Sequence, residues 1–149
     1  MALEYELSLD GDIPVEQVAE RALPDDDERP KGTPPLLSAD LYERRGFGVT
    51  VLADRDGYLE VAADHGRWEW EPEQYVSLTF RMDKAADPDR AVINMLTVIR
   101  RVLSTGPENA AFTLNGNELL FTRFDGVLVK HNRDDWWSSY PGADDLIPG

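Results

Sequence analysis

Cysteine is absent from the 149-residue sequence, and histidine occurs only twice. Without a thiol the chain can form no disulfide, cysteine nucleophile, iron–sulfur cluster or cysteine-ligated zinc site. The sequence also lacks a run of 18 apolar residues and a basic leader at its start, so neither a membrane span nor an export signal is indicated. We therefore expect a cytoplasmic protein.

Basic residues are scarce: 15 Lys and Arg stand against 29 Asp and Glu, which gives a formal net charge of -14. Nucleic acid is not an expected partner, because phosphate binding draws its affinity from Lys and Arg. The hydrophobic fraction of 42% is too high for a disordered acidic tail, and the length suits one domain with a hydrophobic core. The composition therefore predicts a folded, acidic domain.

The clearest predicted element is a helix over residues 88–103, where apolar side chains recur at helical spacing. Asp87 suits its N-cap, Pro88 its first helical position and Gly106 its stop. A second, shorter helix is predicted after Asp12, which can cap it. These two helices are the main helical elements that the sequence predicts.

Segments with strand-like patterns surround the helices. Alternation predicts a strand over residues 2–9, and the turn signals Asn115-Gly116 and Asp125-Gly126 predict two hairpins. The sequence Asp54-Arg55-Asp56-Gly57 predicts in the same way that the strands on either side of it pair as a hairpin. Residues 23–35, with four prolines and an acidic run, are interpreted as a surface loop.

The predicted order β-α-β-β-β-α-β-β-β contains no repeated β-α-β alternation. It favours an α+β fold: a mostly antiparallel sheet of about six to seven strands with two main helices packed on it. We assign residues 1–140 to a single α+β domain. Residues 141–149 are rich in Pro, Gly and Asp, and we interpret them as a loose C-terminal tail.

Acidic residues are concentrated near the start of the chain, where residues 1–28 contain ten Asp and Glu against one Arg. This asymmetry either steers the chain towards a basic protein partner or only keeps its surface soluble. The densest part of the acidic region is a run in the proline-rich loop, which consists of Asp25, Asp26, Asp27 and Glu28.

A second acidic group alternates with tryptophan in the segment Trp68-Glu69-Trp70-Glu71-Pro72-Glu73. Such a segment can bind an Arg-rich surface, because Trp supplies apolar area and cation–π attraction while Glu pairs with guanidinium. On a strand, however, both indoles share one face, which is more often the core face. Trp136 and Trp137 present the same alternative between a binding anchor and a lid over the core.

The residues that most resemble a base or metal-ligand set are Asp64, His65, Lys130 and His131. The two histidines would have to converge with a carboxylate to form such a site, and neither lies in a metal-binding motif. Dinucleotide-loop, P-loop and Gly-x-Ser-x-Gly motifs are absent as well. We interpret the histidines as surface residues and predict no catalytic site, bound metal or cofactor.

Five stretches carry a resemblance to a known family: Met1–Tyr5, Pro14–Ala19, Trp68–Glu73, Phe80–Lys84 and Asp125–His131. Together they resemble the Sit-type immunity family, which is named for swarming-inhibition toxin systems and is found in myxobacteria and actinobacteria. The resemblance implies a cytoplasmic protein that binds and neutralises a cognate polymorphic toxin delivered by a neighbouring cell. It brings no catalytic motif with it.

Two acidic groups are the partner-binding candidates: Asp25, Asp26, Asp27 and Glu28 in the loop, and Glu69, Glu71 and Glu73 beside the tryptophans. An acidic inhibitor suits a basic toxin, since opposite charge raises the rate of association. The two groups form one surface only if the fold brings the loop near the Trp-Glu strand. The alternative function is a small-ligand-binding or scaffold domain that uses the open face of the sheet, and the oligomeric state is left open.

Overall fold

The computed structural model describes residues 3–149. Within this range the strands are β1 (Glu4–Asp10), β2 (Lys31–Thr33), β3 (Leu36–Leu41), β4 (Phe47–Arg55), β5 (Leu59–Ala63), β6 (Gly66–Trp70), β7 (Gln74–Met82), β8 (Ala110–Leu114), β9 (Glu118–Phe124) and β10 (Val127–Lys130). The helices are α1 (Val15–Ala22), α2 (Tyr42–Arg45), α3 (Pro88–Ser104) and α4 (Pro141–Leu146), with a π-helical turn at Arg133–Trp137. The predicted first strand included Ala2, which lies outside the described residues.

The strands form one sheet in the order β2-β3-β4-β7-β1-β8-β9-β5-β6, and β10 also pairs with β9. Neighbouring strands are antiparallel except at the junction of β5 and β9, where Ala62 meets Glu118 in a parallel bridge. The longest ladder joins β4 to β7 over nine residue pairs, and β1 follows on the other side of β7. These three strands are the centre of the sheet.

The two faces of the sheet differ in polarity. In β1 the side chains of Tyr5, Leu7 and Leu9 are buried, while Glu4 and Glu6 lie on the opposite face, as the two-residue period of a strand requires. Apolar side chains of β4, β7 and β8 continue the buried face, where α1, α3 and α4 contribute to the same core. The term open face is used below for the opposite, polar side of β3, β4, β7 and β1.

The α+β class and the mostly antiparallel sheet are confirmed, but the predicted six to seven strands and two helices are too few. The region described by the structure has ten strands and four α-helices. The loop predicted over residues 23–35 contains β2, and β3 follows directly after it. All three residues of β2 are exposed, so this strand has no apolar alternation by which a sequence pattern could identify it. Strand β6 is likewise absent from the predicted order.

Turn signals predict two of the three expected hairpins correctly. Asn115-Gly116 joins β8 to β9 and Asp125-Gly126 joins β9 to β10, with positive φ at all four residues, as this turn type requires. The hairpin predicted around residues 54–57 is wrong, because β4 pairs with β3 and β7, whereas β5 pairs with β6 and β9. The chain leaves β4, forms the β5–β6 hairpin and then returns beside β4 as β7.

The C-terminal residues 141–149, interpreted from the sequence as a loose tail, carry α4 in the structure. Ala143 and Ile147 are buried in the main core. The buried ammonium of Lys130 donates to the Asp144 carboxylate at 2.6 Å and to the Asp144 backbone carbonyl at 3.0 Å. Apolar burial and this ion pair therefore hold α4 against the end of β10.

Helix α3 has the predicted start and the predicted apolar stripe. The Asp87 side chain accepts a hydrogen bond from the Asp89 amide, as an N-cap does, and Pro88 occupies the first turn. Five of the six residues predicted at helical spacing are buried, namely Val92, Met95, Leu96, Ile99 and Val102, and the sixth, Leu103, is half-buried. Ala91 and Val98 are buried as well. Helix α3 is thus central to the core that also includes β1, β4 and β7.

We expect Leu96→Ala to lower the free energy of unfolding by about 2–5 kcal/mol, because the fully buried Leu96 leaves a cavity when it is truncated. Arg100→Ala, on the exposed side of the same helix, is the matched control and should change stability by less than about 0.5 kcal/mol. Urea unfolding of the two variants checks this. Equal stabilities would show that α3 is not central to the core.

Candidate protein-interaction surfaces

The acidic loop carries three exposed carboxylates and one buried carboxylate. Asp25, Asp26 and Asp27 are exposed, whereas Glu28 is 8% exposed and accepts two hydrogen bonds from the Arg45 guanidinium, each 2.9 Å long. These hydrogen bonds lower the pKa of Glu28, and they tie the loop to the end of α2. Glu28 therefore supports the loop. Of the three exposed aspartates, Asp26 forms surface ion pairs with Arg29 at 3.6 Å and with Lys31 at 4.0 Å.

The second predicted acidic group lies on the β5–β6 hairpin and at its exit. Glu69, Glu71 and Glu73 are all exposed. Glu69 stands opposite Glu60 in the β5–β6 ladder, and Glu60 forms an ion pair with Arg67. Across residues 3–149, none of the three predicted carboxylates forms an ion pair within 4.0 Å. All three are free to meet a cation from outside.

The fold places the two predicted groups near opposite ends of β4. Arg45, which holds the acidic loop, lies two residues before the start of this strand, whereas the Glu73 carbonyl accepts a hydrogen bond from the Asp56 amide just beyond its end. The nine residues of β4 span roughly 30 Å at about 3.3 Å per residue. The two groups are therefore separate surfaces.

Trp136 and Trp137 are core residues. Their side chains are 7% and 1% exposed, and each indole N–H has a partner: Trp136 donates to the Tyr5 hydroxyl at 3.1 Å and Trp137 to the Leu120 carbonyl at 3.0 Å. Burial raises the pKa of Tyr5 to about 12. The Lys130 ammonium lies 4.5 Å from the Trp137 ring centre. Of the two predicted roles, packing is the one observed for this pair.

Trp68 and Trp70 are half-buried and pack against Phe124 at the end of β9. Their rings make edge-to-face contacts with Phe124, at centroid distances of 5.9 and 5.4 Å. Together with buried Val61 and Leu119 they belong to a small second core, which folds the β5–β6 hairpin onto β8 and β9. The packing interpretation holds here too, although part of each indole stays accessible.

The open face gathers acidic residues that the sequence pattern does not bring together. Five carboxylates occupy its strand positions, against one cation, Arg81. They are Glu4, Glu6, Asp10, Asp40 and Asp54. In the described part of the chain, none of the five forms an ion pair within 4.0 Å. Alternation identifies Glu4 and Glu6 as the polar side of β1, but their neighbours come from strands distant in sequence.

Two shallow hollows meet on this face. The larger measures about 550 Å³ and is lined by Glu4, Glu6, Thr79 and the turn Asn115–Asn117. The second, of about 320 Å³, shares Glu4 and Thr79 with the first and extends to Asp40 on β3. The combined surface, defined by Glu4, Glu6, Asp40, Thr79 and Asn115–Asn117, is named the acidic trough.

His131 and Asp64 form hydrogen bonds that connect two parts of the fold. The His131 ring nitrogen Nδ1 accepts a hydrogen bond from the Asp64 amide at 3.3 Å, and the Asp64 carboxylate accepts one from the Asn132 amide at 2.9 Å. These contacts join the tip of the β5–β6 hairpin to the end of β10, while His65 is exposed. In residues 3–149 no group of three or more His, Asp and Glu is arranged to hold a metal ion.

An apolar cavity of about 250 Å³ opens beside the N-terminal end of α3. Its walls include Leu3, Tyr5, Val92 and Tyr140, with Lys84 among its polar lining. Leu3 is 44% exposed at this site. The cavity is large enough for one apolar side chain or a small apolar ligand.

The fold and the surfaces together describe a class of protein: an acidic α+β domain whose sheet is covered by helices on one face. The SitI3-like family model matches residues 3–141. The chain therefore belongs to the SitI3-like family, a Sit-type immunity family. No curated protein and no solved structure shows significant similarity to it. In the region described by the structure, every helix is too short or too polar to cross a bilayer.

Acidification is expected to remove the stability that Glu28 contributes. Because its pKa is lowered in the folded chain, the contribution is present above the ordinary value of 4.5 and is lost as the pH falls through the folded pKa. Glu28→Gln should lower the free energy of unfolding at neutral pH by about 1–3 kcal/mol and flatten the decline in acid.

Urea unfolding between about pH 3 and pH 7 measures this effect. Asp27→Asn, an exposed change in the same loop, is the control and should follow the wild-type profile. If Glu28→Gln also followed that profile, the Glu28–Arg45 pair would not be the source of the acid sensitivity.

Proposed function

We propose that the chain is an immunity protein that binds and neutralises a cognate polymorphic toxin in the cytoplasm without catalysing a reaction. Membership of the SitI3-like family over residues 3–141 is the observation that carries this proposal. The formal net charge of -14 and the exposed carboxylates support a basic toxin as the partner. Opposite charge accelerates encounter, and ion pairs desolvated in the complex slow dissociation.

The partner-binding candidates are the two acidic groups. The first group is the exposed run Asp25–Asp27. Its loop is anchored by the two hydrogen bonds between Glu28 and Arg45, so the aspartates contact a partner from a backbone that is fixed in place. The other candidates are Glu69, Glu71 and Glu73, which lie near half-buried Trp68 and Trp70. Because β4 separates the groups, a partner that uses one need not touch the other.

The test combines cell protection with binding kinetics, and its probe is the candidate toxin encoded beside this chain. The wild type should protect cells that express the toxin, and its association rate should fall as salt is added. Two triple variants probe the groups separately: Asp25→Asn/Asp26→Asn/Asp27→Asn and Glu69→Gln/Glu71→Gln/Glu73→Gln. The group that faces the toxin should lose roughly tenfold in association rate when neutralised.

The outcomes separate the role from the residues. Absence of both binding and protection would overturn the immunity function. Tight binding that neither triple variant affects would keep the function and reject both groups as contacts. Circular dichroism of each variant serves as the folding control.

A second candidate function is the binding of a small apolar ligand, and the cavity beside Tyr5 and Tyr140 favours it. Mass spectrometry of the chain purified from its native host, under conditions that keep complexes intact, would detect a bound metabolite. Val92→Trp should fill the cavity and displace such a ligand. A ligand-free protein that copurifies with a toxin would exclude this candidate.

A further inference from the structure

We propose that a second copy of this chain pairs with the free edge of β6, so that two chains form a symmetric dimer whose sheet continues across the interface. The two strands run antiparallel, and the two-fold axis passes beside Trp68. The proposal concerns the oligomeric state, which the immunity function leaves open, and its test needs no toxin.

Unpaired backbone groups along β6 are the first observation. This strand is the last in the order of the sheet, and among residues 3–149 its one partner is β5. The Ala62 amide donates to the Asn117 carbonyl at 2.9 Å, on the side of β5 that faces away from β6. Ala62 and Arg67 therefore form a non-hydrogen-bonded pair, and the backbone amides and carbonyls of Arg67 and Glu69 point outwards. An added strand would satisfy all four groups.

The charges on this edge select a second copy as the added strand. Arg67 and Glu69 lie on either side of Trp68 and share one face. With the axis at Trp68, Arg67 of each copy lies opposite Glu69 of the other copy. An axis at position 67 or 69 would instead bring two guanidinium groups or two carboxylates together. The opposite charges therefore fix the register as well as the occupant.

Glu69 has no cation within its own chain. It lies opposite Glu60 in the β5–β6 ladder, and Glu60 forms the ion pair with Arg67. In the described part of the chain Glu69 forms no ion pair within 4.0 Å. The Arg67 side chain stays mostly exposed, and its five N–H donors can serve Glu60 and a carboxylate of the second copy together. Pairing thus supplies Glu69 with a cation.

The indoles add apolar contact at the axis. Trp68 is half-buried, and its backbone groups face β5, so the two copies of Trp68 meet as a non-hydrogen-bonded pair, in which side chains are closest. Trp70 lies opposite Gly66 of the second copy, where a Cβ added to Gly66 would meet no atom within 4 Å. Cross-strand aromatic pairs stabilise a sheet, and the second copy covers indole surface that one chain leaves accessible.

The strength of the dimer follows from two opposing effects. Each copy carries a formal net charge of -14, which opposes association, but at about 0.15 M salt this repulsion is screened beyond about 8 Å and contact pairs dominate. The ladder is only five residues long. Such a short interface predicts a weak dimer, with a dissociation constant of about 1–100 μM.

Sedimentation velocity from about 1 to 300 μM is the first test, and the wild type should change from monomer to dimer over this range. Glu69→Arg and Arg67→Glu each place like charges opposite each other and should weaken self-association at least about tenfold. An equimolar mixture of these two variants restores both ion pairs and should associate within about threefold of the wild type. The control Glu20→Arg makes the same charge change as Glu69→Arg on exposed α1 and should dimerise within about twofold of the wild type.

Hydrogen exchange of the wild type locates the interface without a substitution, so it decides the matter if the charge variants fail to fold. Single-residue exchange is measured by mass spectrometry at about 1 and 300 μM. The amides of Arg67 and Glu69 should exchange at least about threefold more slowly at the higher concentration. The amide of Asp40, near the opposite edge of the sheet, is the control and should exchange at the same rate at both concentrations.

The outcomes separate the dimer from the immunity function. A wild type that stays monomeric at about 300 μM overturns the dimer. A dimer that leaves the exchange of Arg67 and Glu69 unchanged uses another surface and overturns the proposal as well. Slower exchange at both positions, with association restored in the mixture, supports it. None of these results depends on a toxin, so either proposal can fail while the other stands.

Discussion

The alternation of side chains along β1 is the constraint on which both faces of the molecule depend. Tyr5, Leu7 and Leu9 must be buried because they complete the core formed with α3, and the pairing of β1 with β7 and β8 is then fixed. A slip of one residue would bury Glu6 and expose Leu7, at the cost of a desolvated carboxylate and lost apolar burial. The apolar core therefore determines which acidic residues become neighbours on the open face.

Local features of the fold follow well from the sequence, whereas long-range pairing does not. Asp87 and Pro88 mark the start of α3 because capping depends on residues within one turn, and Asn115-Gly116 marks a hairpin because its φ values are a local requirement. The partner of β4 is a tertiary property. The turn signal near Asp56 is present, but β4 pairs with β7 over nine residue pairs rather than with β5 across that turn.

The candidate surfaces show the same limit. The sequence identifies an acidic run, but it does not show that Glu28 is buried against Arg45, 17 residues away, while Asp27 beside it is exposed. The acidic trough is less visible still, because Glu4 meets Thr79 and Asp40 through ladders between β1, β7, β4 and β3. Carboxylates isolated in the sequence become a group only after the sheet has formed.

The separation of the two faces also separates stability from recognition. Truncating a core residue typically costs about 2–5 kcal/mol, whereas an exposed substitution changes stability by about 0.5 kcal/mol or less. Positions such as Glu4, Asp40 and Ser38 are exposed on the open face, and none belongs to the apolar core. Specificity is a difference between two affinities, and it can be altered at such positions by exchanging charge or shape against a partner. A domain arranged in this way can change its partner while the helix-covered face keeps the fold intact.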